Sequence, residues 1–325
     1  MTEFDLIELI RARCPSGRRD VRLGIGDDCA ILAPPAREDL LVTTDTLVEG
    51  VHFLAGSDPV ALGWKALAVN LSDLAAMGAM PAWTLLSLTL PRADAAFVAG
   101  FIDGFCALAA QHEVALVGGD TTSGPLAIGV VVHGFAPAGT ALRRDGAKIG
   151  DRVFVTGTVG DGLAGLRCLQ AGEGATLAEA PAWARAAVTE RIERPRPQLA
   201  AGRALRGLAT ACIDTSDGLL ADLGHIARRS GVGMEIRAEA LPTSSAVAAL
   251  FEGEERLAIQ AGGGDDYQLA FTAPTLRETE VRQALAALDC PVSCIGSVVE
   301  GESVRLLAGD GSEIVPEHRG WEHFA

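Results

Sequence analysis

The stretch GIGDDCAIL (24–32) sets two carboxylates, Asp27 and Asp28, directly behind a Gly-x-Gly turn. Such a turn offers backbone N–H groups to an anion, whereas carboxylates repel phosphate. A cation between the two resolves the conflict. Acids recur after short apolar runs: Asp45 in LLVTTDT, Asp120 in VALVGGDTT, Asp214 and Asp217 in ACIDTSDG, Asp265 and Asp266 in LAIQAGGGDDY. In sheets flanked by helices, ligands sit beyond strand ends, so these acids could gather in one place. The alternative is ordinary turn chemistry, with Ser216 or Asp217 capping the helix that follows. Turns alone, however, would mix in more Asn, Ser and Pro.

Asp73 adds a separate clue. Between residues 64 and 80 the only polar side chains are Lys65, Asn70, Ser72 and Asp73, so this helix is apolar almost all round and expected to be buried. A buried carboxylate is costly unless paired or bound to a metal, and Asn70 and Asp73 share a helix face. Packed acids without counter-charge would raise one another's pKa. Mg²⁺ fits such a set, because it takes a few carboxylates together with waters and substrate phosphates.

The elements that must position these residues alternate. Strands are expected over 39–46, 82–90, 114–119 and 125–136, with helices over 58–81 and 93–112. Asp58 and Pro59 suit the start of the first helix, and Gly78 with Pro81 its end. The polar, Gly-rich stretch 137–151 reads as a domain boundary, giving domains over 1–137 and 138–325. The second half opens with the strand RVFVTGTV and a helix from about Gly160, and 210–231 reads as strand, turn, helix. GTVGDG (157–162) is a further Gly-rich turn and a minor candidate for phosphate.

Bulk properties narrow the function. A chain of 325 residues favours two domains, and 49% hydrophobic with 21% charged residues is ordinary for a globular protein. The formal net charge of −15 argues against nucleic acid and against anionic membranes. No signal peptide is read at MTEFDLIELI, and no apolar run reaches the roughly 18 residues of a membrane span. The seven cysteines form no zinc pattern, so reduced thiols in a cytoplasmic protein are expected. P-loop and protein-kinase motifs are absent from the sequence.

Taken together, GIGDDCAIL, VTTDTLVEGVHF, GWKALAVNLSDLAAMGAMP, GGDTTSG, RRDGAKIGD, DTSDGLLADLGHIA and GWEHF resemble the thiamine-monophosphate kinase family, in order and over nearly the whole chain. That family belongs to the ATP-using superfamily of aminoimidazole ribonucleotide synthase. The resemblance implies a layered α/β (α+β) fold of two domains. An N-terminal ATP- and Mg-binding sheet pairs with its copy in a homodimer, and a C-terminal mixed sheet with helices completes the nucleotide and substrate site. It also implies transfer of the ATP γ-phosphoryl group to thiamine monophosphate.

By resemblance, Asp28, Thr43, Thr44, Asp45, Asp73, Asp120, Asp214 and Asp217 match magnesium ligands. Asp103, Gly119, Asp120, Arg144 and Ser216 match nucleotide contacts, and His52, Asp265 and Trp321 match contacts to thiamine monophosphate. The family usually has Gly-Gly-Glu-Asp-Tyr where this chain has GGDDY, so Asp265 stands in place of a longer acid. Bland roles stand beside these: a strand-end imidazole for His52, packing for Trp321, a solvated pair for Arg143-Arg144.

The acceptor is itself a phosphate with a second pKa near 6, so no general base is expected. Catalysis would be alignment and neutralisation by several Mg²⁺ ions and Arg144. Two like charges at ~4 Å repel by about 4 kcal/mol at an effective dielectric of about 20, which sets the scale of that task. The alternatives are another ATP-activating enzyme of the superfamily, such as aminoimidazole ribonucleotide synthase, or a Mg-nucleotide-binding module without turnover.

Overall fold

Pro59 opens a helix whose next two turns are almost wholly apolar, and Asp58 accepts a hydrogen bond from the N–H of Ala61 at 3.0 Å. This computed structural model describes residues 2–14, 17–171 and 176–323; Phe324 of GWEHF lies outside them. The chain forms two compact units, Met1–Leu74 with Ala79–Gly139, and Ala75–Gly78 with Thr140–Ala325.

The first unit contains α1 (Glu3–Arg13), β1 (Val21–Leu23), β2 (Ile31–Leu32), β3 (Glu38–Val48), most of α2 (Pro59–Ala76), β4 (Met80–Leu90), α3 (Ala95–Gln111), β5 (Ala115–Ser123) and β6 (Ala127–Pro137). Its main sheet runs β3-β6-β4-β5, antiparallel except for the β4–β5 pair. β3 alternates sharply: Leu41 and Leu47 are buried, while Leu40 and Val42 on the opposite face are 50% and 56% exposed. The inner face packs on α2, and the β1–β2 hairpin covers the β4–β5 half of the outer face through Val21, Ala30 and Leu32. Two glycines let α2 and α3 cross closely. A Cβ on Gly63 would lie 1.9 Å from the Phe101 carbonyl oxygen, and one on Gly104 would lie 1.8 Å from that of Val60.

One expectation is overturned here. Cys14 and Cys106 form a disulfide, with Cα atoms 5.8 Å apart, rather than two free thiols. The cause is packing: Leu6 and Ile10 bury one face of α1, which lies along α3 and carries Cys14 at its C-cap to Cys106. Spacing of 92 residues in sequence hid the pair. The other five cysteines are free.

The second unit contains β7 (Asp151–Thr156), α4 (Asp161–Gln170), α5 (Thr176–Glu179), α6 (Ala182–Glu193), α7 (Leu199–Leu205), β8 (Ala211–Asp214), α8 (Leu219–Ser230), β9 (Gly233–Arg237), α9 (Ser245–Leu250), α10 (Gly253–Gly262), β10 (Leu269–Pro274), α11 (Glu278–Ala286), β11 (Val292–Val299), β12 (Val304–Leu307) and β13 (Glu313–Ile314). Its seven-stranded sheet runs β13-β12-β9-β11-β7-β10-β8 and is mixed, since β12 and β9 are parallel. Leu219, Leu223 and Ile226 of α8 pack with Val153, Ile213 and Met234 of the strands. Among the described residues no helix is long and apolar enough to cross a membrane.

Candidate functional site

In the first unit, α2 is as buried as its composition requires. Asn70 is 1% exposed, and its side-chain oxygen accepts from the Asp45 N–H at 3.0 Å while its amide donates to the Ala66 carbonyl at 3.1 Å. One turn later, Asp73 accepts a short 2.5 Å hydrogen bond from the Thr43 hydroxyl. Alternation along β3 thus turns Thr43 and Asp45 toward α2 and gathers them with Asn70 and Asp73. The hydroxyl of Thr44, on the other face, donates to the Val130 carbonyl.

Asp120 lies elsewhere on the same sheet. Its register row is Thr46, Gly129, Ser87 and Asp120, on the outer face, whereas Asp45 is in the row of Val130, Leu86 and Gly119. β3 and β5 are opposite edges, so the two acids stand three strand spacings apart, roughly 14 Å. Asp45 and Asp120 also fall within strands rather than at their ends. Gly119 has a packing reason of its own: at φ +152° a Cβ there would lie 1.8 Å from the Leu86 carbonyl oxygen.

Asp28 lies in an exposed turn, where its N–H donates to the Asp27 carboxylate. Asp103 sits on the face of α3 turned to α1 and pairs with Arg13 at 2.8 Å. His52 follows β3 in a tight turn. Its Nδ1 accepts from the Val48 N–H at 3.0 Å, so the neutral ring carries its proton on Nε2.

The second unit gathers more of the expected residues. β8 ends at Asp214, which is 3% exposed, and the turn to α8 is stitched to residues 264–268. The N–H of Asp265 donates to the Ser216 carbonyl at 2.9 Å, and that of Tyr267 to the Thr215 carbonyl at 2.8 Å. Trp321, 59% exposed, joins them because its N–H donates to the Asp217 carbonyl at 2.9 Å. Burial raises the Asp217 carboxyl above its ordinary value; the charges of His225, His323 and Arg144 oppose that rise and Asp265 adds to it. Arg144, Asp217, Asp265, His225 and His323 therefore form one electrostatic neighbourhood, with the Trp321 backbone joined to it through Asp217.

Two acids do structural work here: Asp222, which escaped the sequence reading, and Asp266, which that reading placed only in its set of recurring acids. Neither Ser216 nor Asp217 caps α8. Instead Asp222, in the first turn, reaches back and accepts from the N–H groups of Asp217 and Gly218 at 3.2 and 3.1 Å. Burial pushes the Asp222 carboxyl well up, and the charges of Asp214 and Asp217 push it further. Its signal was available: an acid inside the apolar stripe of Leu219, Leu223 and Ile226. Asp266 accepts from the N–H groups of Gly160 and Gly162 at 2.6 and 2.9 Å, so the GTVGDG turn already spends those donors on a carboxylate. The run before Asp265 is helix α10, not a strand.

Among the described residues no three of His, Cys, Asp or Glu are grouped to hold a metal by themselves. Mg²⁺ asks for less, since one or two carboxylates suffice when phosphates and waters fill its shell. Asp45 and Asp73 in the first unit, and Asp214 and Asp217 in the second, are hard oxygen donors of that kind. The mutual repulsion around Asp222 is the electrostatic condition that a cation relieves.

Known proteins similar to this chain match it across both units. Residues 26–136 match the family described as AIR synthase related protein, N-terminal domain, and residues 148–309 match its C-terminal domain. The thiamine-monophosphate kinase of Escherichia coli K12 is 46% identical over 323 residues, covering 99% of this chain and 98% of the relative. The crystal structure of thiamine-monophosphate kinase from Stenotrophomonas maltophilia K279a is 46% identical, with a TM-score of 0.87 and 97% and 98% of the two chains covered. A structure described as AaThiL complexed with AMPPCP and TMP superposes with a TM-score of 0.77 at 36% identity, covering 99% and 97%. With this likeness running through both units, the chain belongs to the thiamine-monophosphate kinase family of AIR synthase related proteins.

Proposed function

We propose that this chain transfers the γ-phosphoryl group of ATP to thiamine monophosphate, giving thiamine diphosphate and ADP. The observation that carries the reading is the full-length likeness at 46% identity to thiamine-monophosphate kinases. The protein AaThiL, similar over 99% of this chain, has been captured with AMPPCP and TMP.

Each unit holds part of the machinery. In the first, the Thr43 hydroxyl holds the Asp73 carboxylate and Asn70 anchors the Asp45 backbone beside it before any ligand arrives. Asp28, Thr43, Thr44 and Asp120 would supply the rest of the first unit's magnesium ligands, Asp120 on the outer face holding an ion apart from Asp45 and Asp73. In the second, Asp214 and Asp217 supply further carboxylates, Arg144 and Ser216 meet the nucleotide, and Asp265 and Trp321 meet the substrate. Gly119 and Asp103 complete the nucleotide set, although Asp103 must then leave Arg13 or share it. His52 presents its Nε2–H to the substrate. Magnesium held there would neutralise the charge shared by donor and acceptor phosphates. The transferred group moves directly between them, and no side chain takes a proton, because the acceptor oxygen is already ionised near neutral pH.

The reading extends to a cytoplasmic homodimer. Leu40 and Val42 leave an apolar strip on the outer face of edge strand β3, suited to burial against the same strip of a second copy. The deciding experiment is product identity. Incubation with ATP, Mg²⁺ and thiamine monophosphate should yield thiamine diphosphate and ADP in equal amounts. ATP use only with an aminoimidazole precursor would favour the ring-closing relative, and nucleotide binding without any product would favour a non-catalytic module.

A further inference from the structure

We propose that Gly320 is a positioning residue for the substrate site: having no side chain, it lets the strap 315–323 sit directly on the turn that carries Asp217, and this seat places the Trp321 indole for thiamine monophosphate. The proposal rests on the reading of Trp321 as a substrate contact. The torsions of Gly320 do not ask for glycine, since its φ lies outside the left-handed region. Its neighbours do. A Cβ on Gly320 would lie 2.5 Å from the Ala221 Cβ of α8 and 2.9 Å from the Asp217 carbonyl oxygen, both closer than side chains come.

Three segments share this close approach. A Cβ on Gly218, in the lead-in to α8, would lie 2.7 Å from the Gly262 carbonyl oxygen and 3.1 Å from the Gly320 Cα. One on Gly262, at the end of α10, would lie 2.4 Å from the His318 carbonyl oxygen. Backbone therefore meets backbone where the strap crosses. That approach allows the hydrogen bond from the Trp321 N–H to the Asp217 carbonyl at 2.9 Å, on the same oxygen that a side chain at 320 would crowd.

The turn beneath is the fixed partner. The Asp222 carboxylate accepts from the N–H groups of Asp217 and Gly218, and the Asp265 N–H donates to the Ser216 carbonyl. The strap rests on that turn through Trp321 and, just before it, on the sheet through Arg319, whose guanidinium donates to the Val304 carbonyl at 3.1 Å. The indole is exposed rather than wedged in the core, so its place follows the backbone of the strap. The His323 ring travels with it, edge-on with centroids 6.1 Å apart. A methyl at 320 would therefore lift the strap rather than move the turn, and would carry the indole away. An indole face is a surface suited to a flat, cationic ring, and a displaced face loses that contact.

The test is steady-state kinetics at saturating ATP and Mg²⁺. Gly320→Ala should raise the KM for thiamine monophosphate about tenfold, the scale of one well-placed cation–π contact. Its kcat should change by less than about twofold, as for an interaction made equally in ground and transition states. Its thermal midpoint should match that of the wild type. Trp321→Ala should raise the same KM, and Gly320→Ala added to it should raise it no further, because the two changes remove one interaction. An unchanged KM in Gly320→Ala, whatever its kcat, or a further rise in the double variant, overturns the proposal. Trp321→Ala also separates this from the reading beneath it. An unchanged KM there overturns the substrate role of Trp321 itself, while a raised KM there with a normal Gly320→Ala overturns the positioning role alone. Ala221→Val narrows the same seat from α8 and serves as the test should Gly320→Ala fold poorly. It should raise that KM as well, and a wild-type KM in it overturns the proposal.

Discussion

Asp45 and Asp120 make the sharpest predictions among single residues, because one is locked to α2 and the other stands on the far edge of the sheet. Asn at either position keeps size and removes charge, so each variant should fold normally yet lose turnover by about two orders of magnitude or more. Near-normal activity at saturating Mg²⁺ would remove that position from the metal set. Asp266 predicts a pH effect on stability. Its burial pushes the carboxyl up to about 8, above the ordinary 3.8 it recovers on unfolding. Between those values the unfolded chain has released a proton that the folded one keeps, so stability falls as pH rises through that window. Asp266→Asn should flatten the decline of the melting midpoint between about pH 5 and 8; an unaltered slope would show that Asp266 does not titrate there. Residues of this kind were only half legible. Asp73 and Asn70 stood out because they interrupt an apolar helix, and the same logic applied to α8 would have found Asp222. Asp266 stood in the sequence only as one more acid after an apolar run; its partners lie more than a hundred residues away, so its role was hidden.

Elements were legible where a single period governs a long stretch. α2, α3, β3 and β4 appear within a few residues of their expected bounds because an apolar face repeats along each. The strand-then-acid pattern misled in two ways: β3 and β5 run on past their acids because ladder pairing with β6 and β4 continues, and α10 is too rich in Ala and Gly to declare its period. Where α2 and α3 cross, Gly104→Ala should be severely destabilising, by about 1–3 kcal/mol or more, since the new methyl meets backbone rather than a movable side chain. A wild-type melting midpoint in that variant would show the helices can part at no cost. The link between α1 and α3 predicts a thiol count. Denatured without reductant, the chain should take up five equivalents of maleimide, and after reduction seven. Seven in both states would show that Cys14 and Cys106 are separate.

At the scale of the whole molecule, composition and motif order pointed to two α/β units in the family's sequence of landmarks, whereas the proposed dimer rests on the exposed apolar residues Leu40 and Val42 of β3. Val42→Glu places a charge in the middle of the apolar strip and should convert a dimer to monomers in sedimentation velocity, with activity falling in parallel. A dimer that persists would move the interface elsewhere. The disulfide has a topological consequence as well. It closes residues 14–106 into a ring that includes GIGDD, all of β3, α2 and β4, and the turn bearing His52. A single protease nick anywhere inside that ring leaves the two fragments covalently tethered, migrating as one band until a reductant parts them.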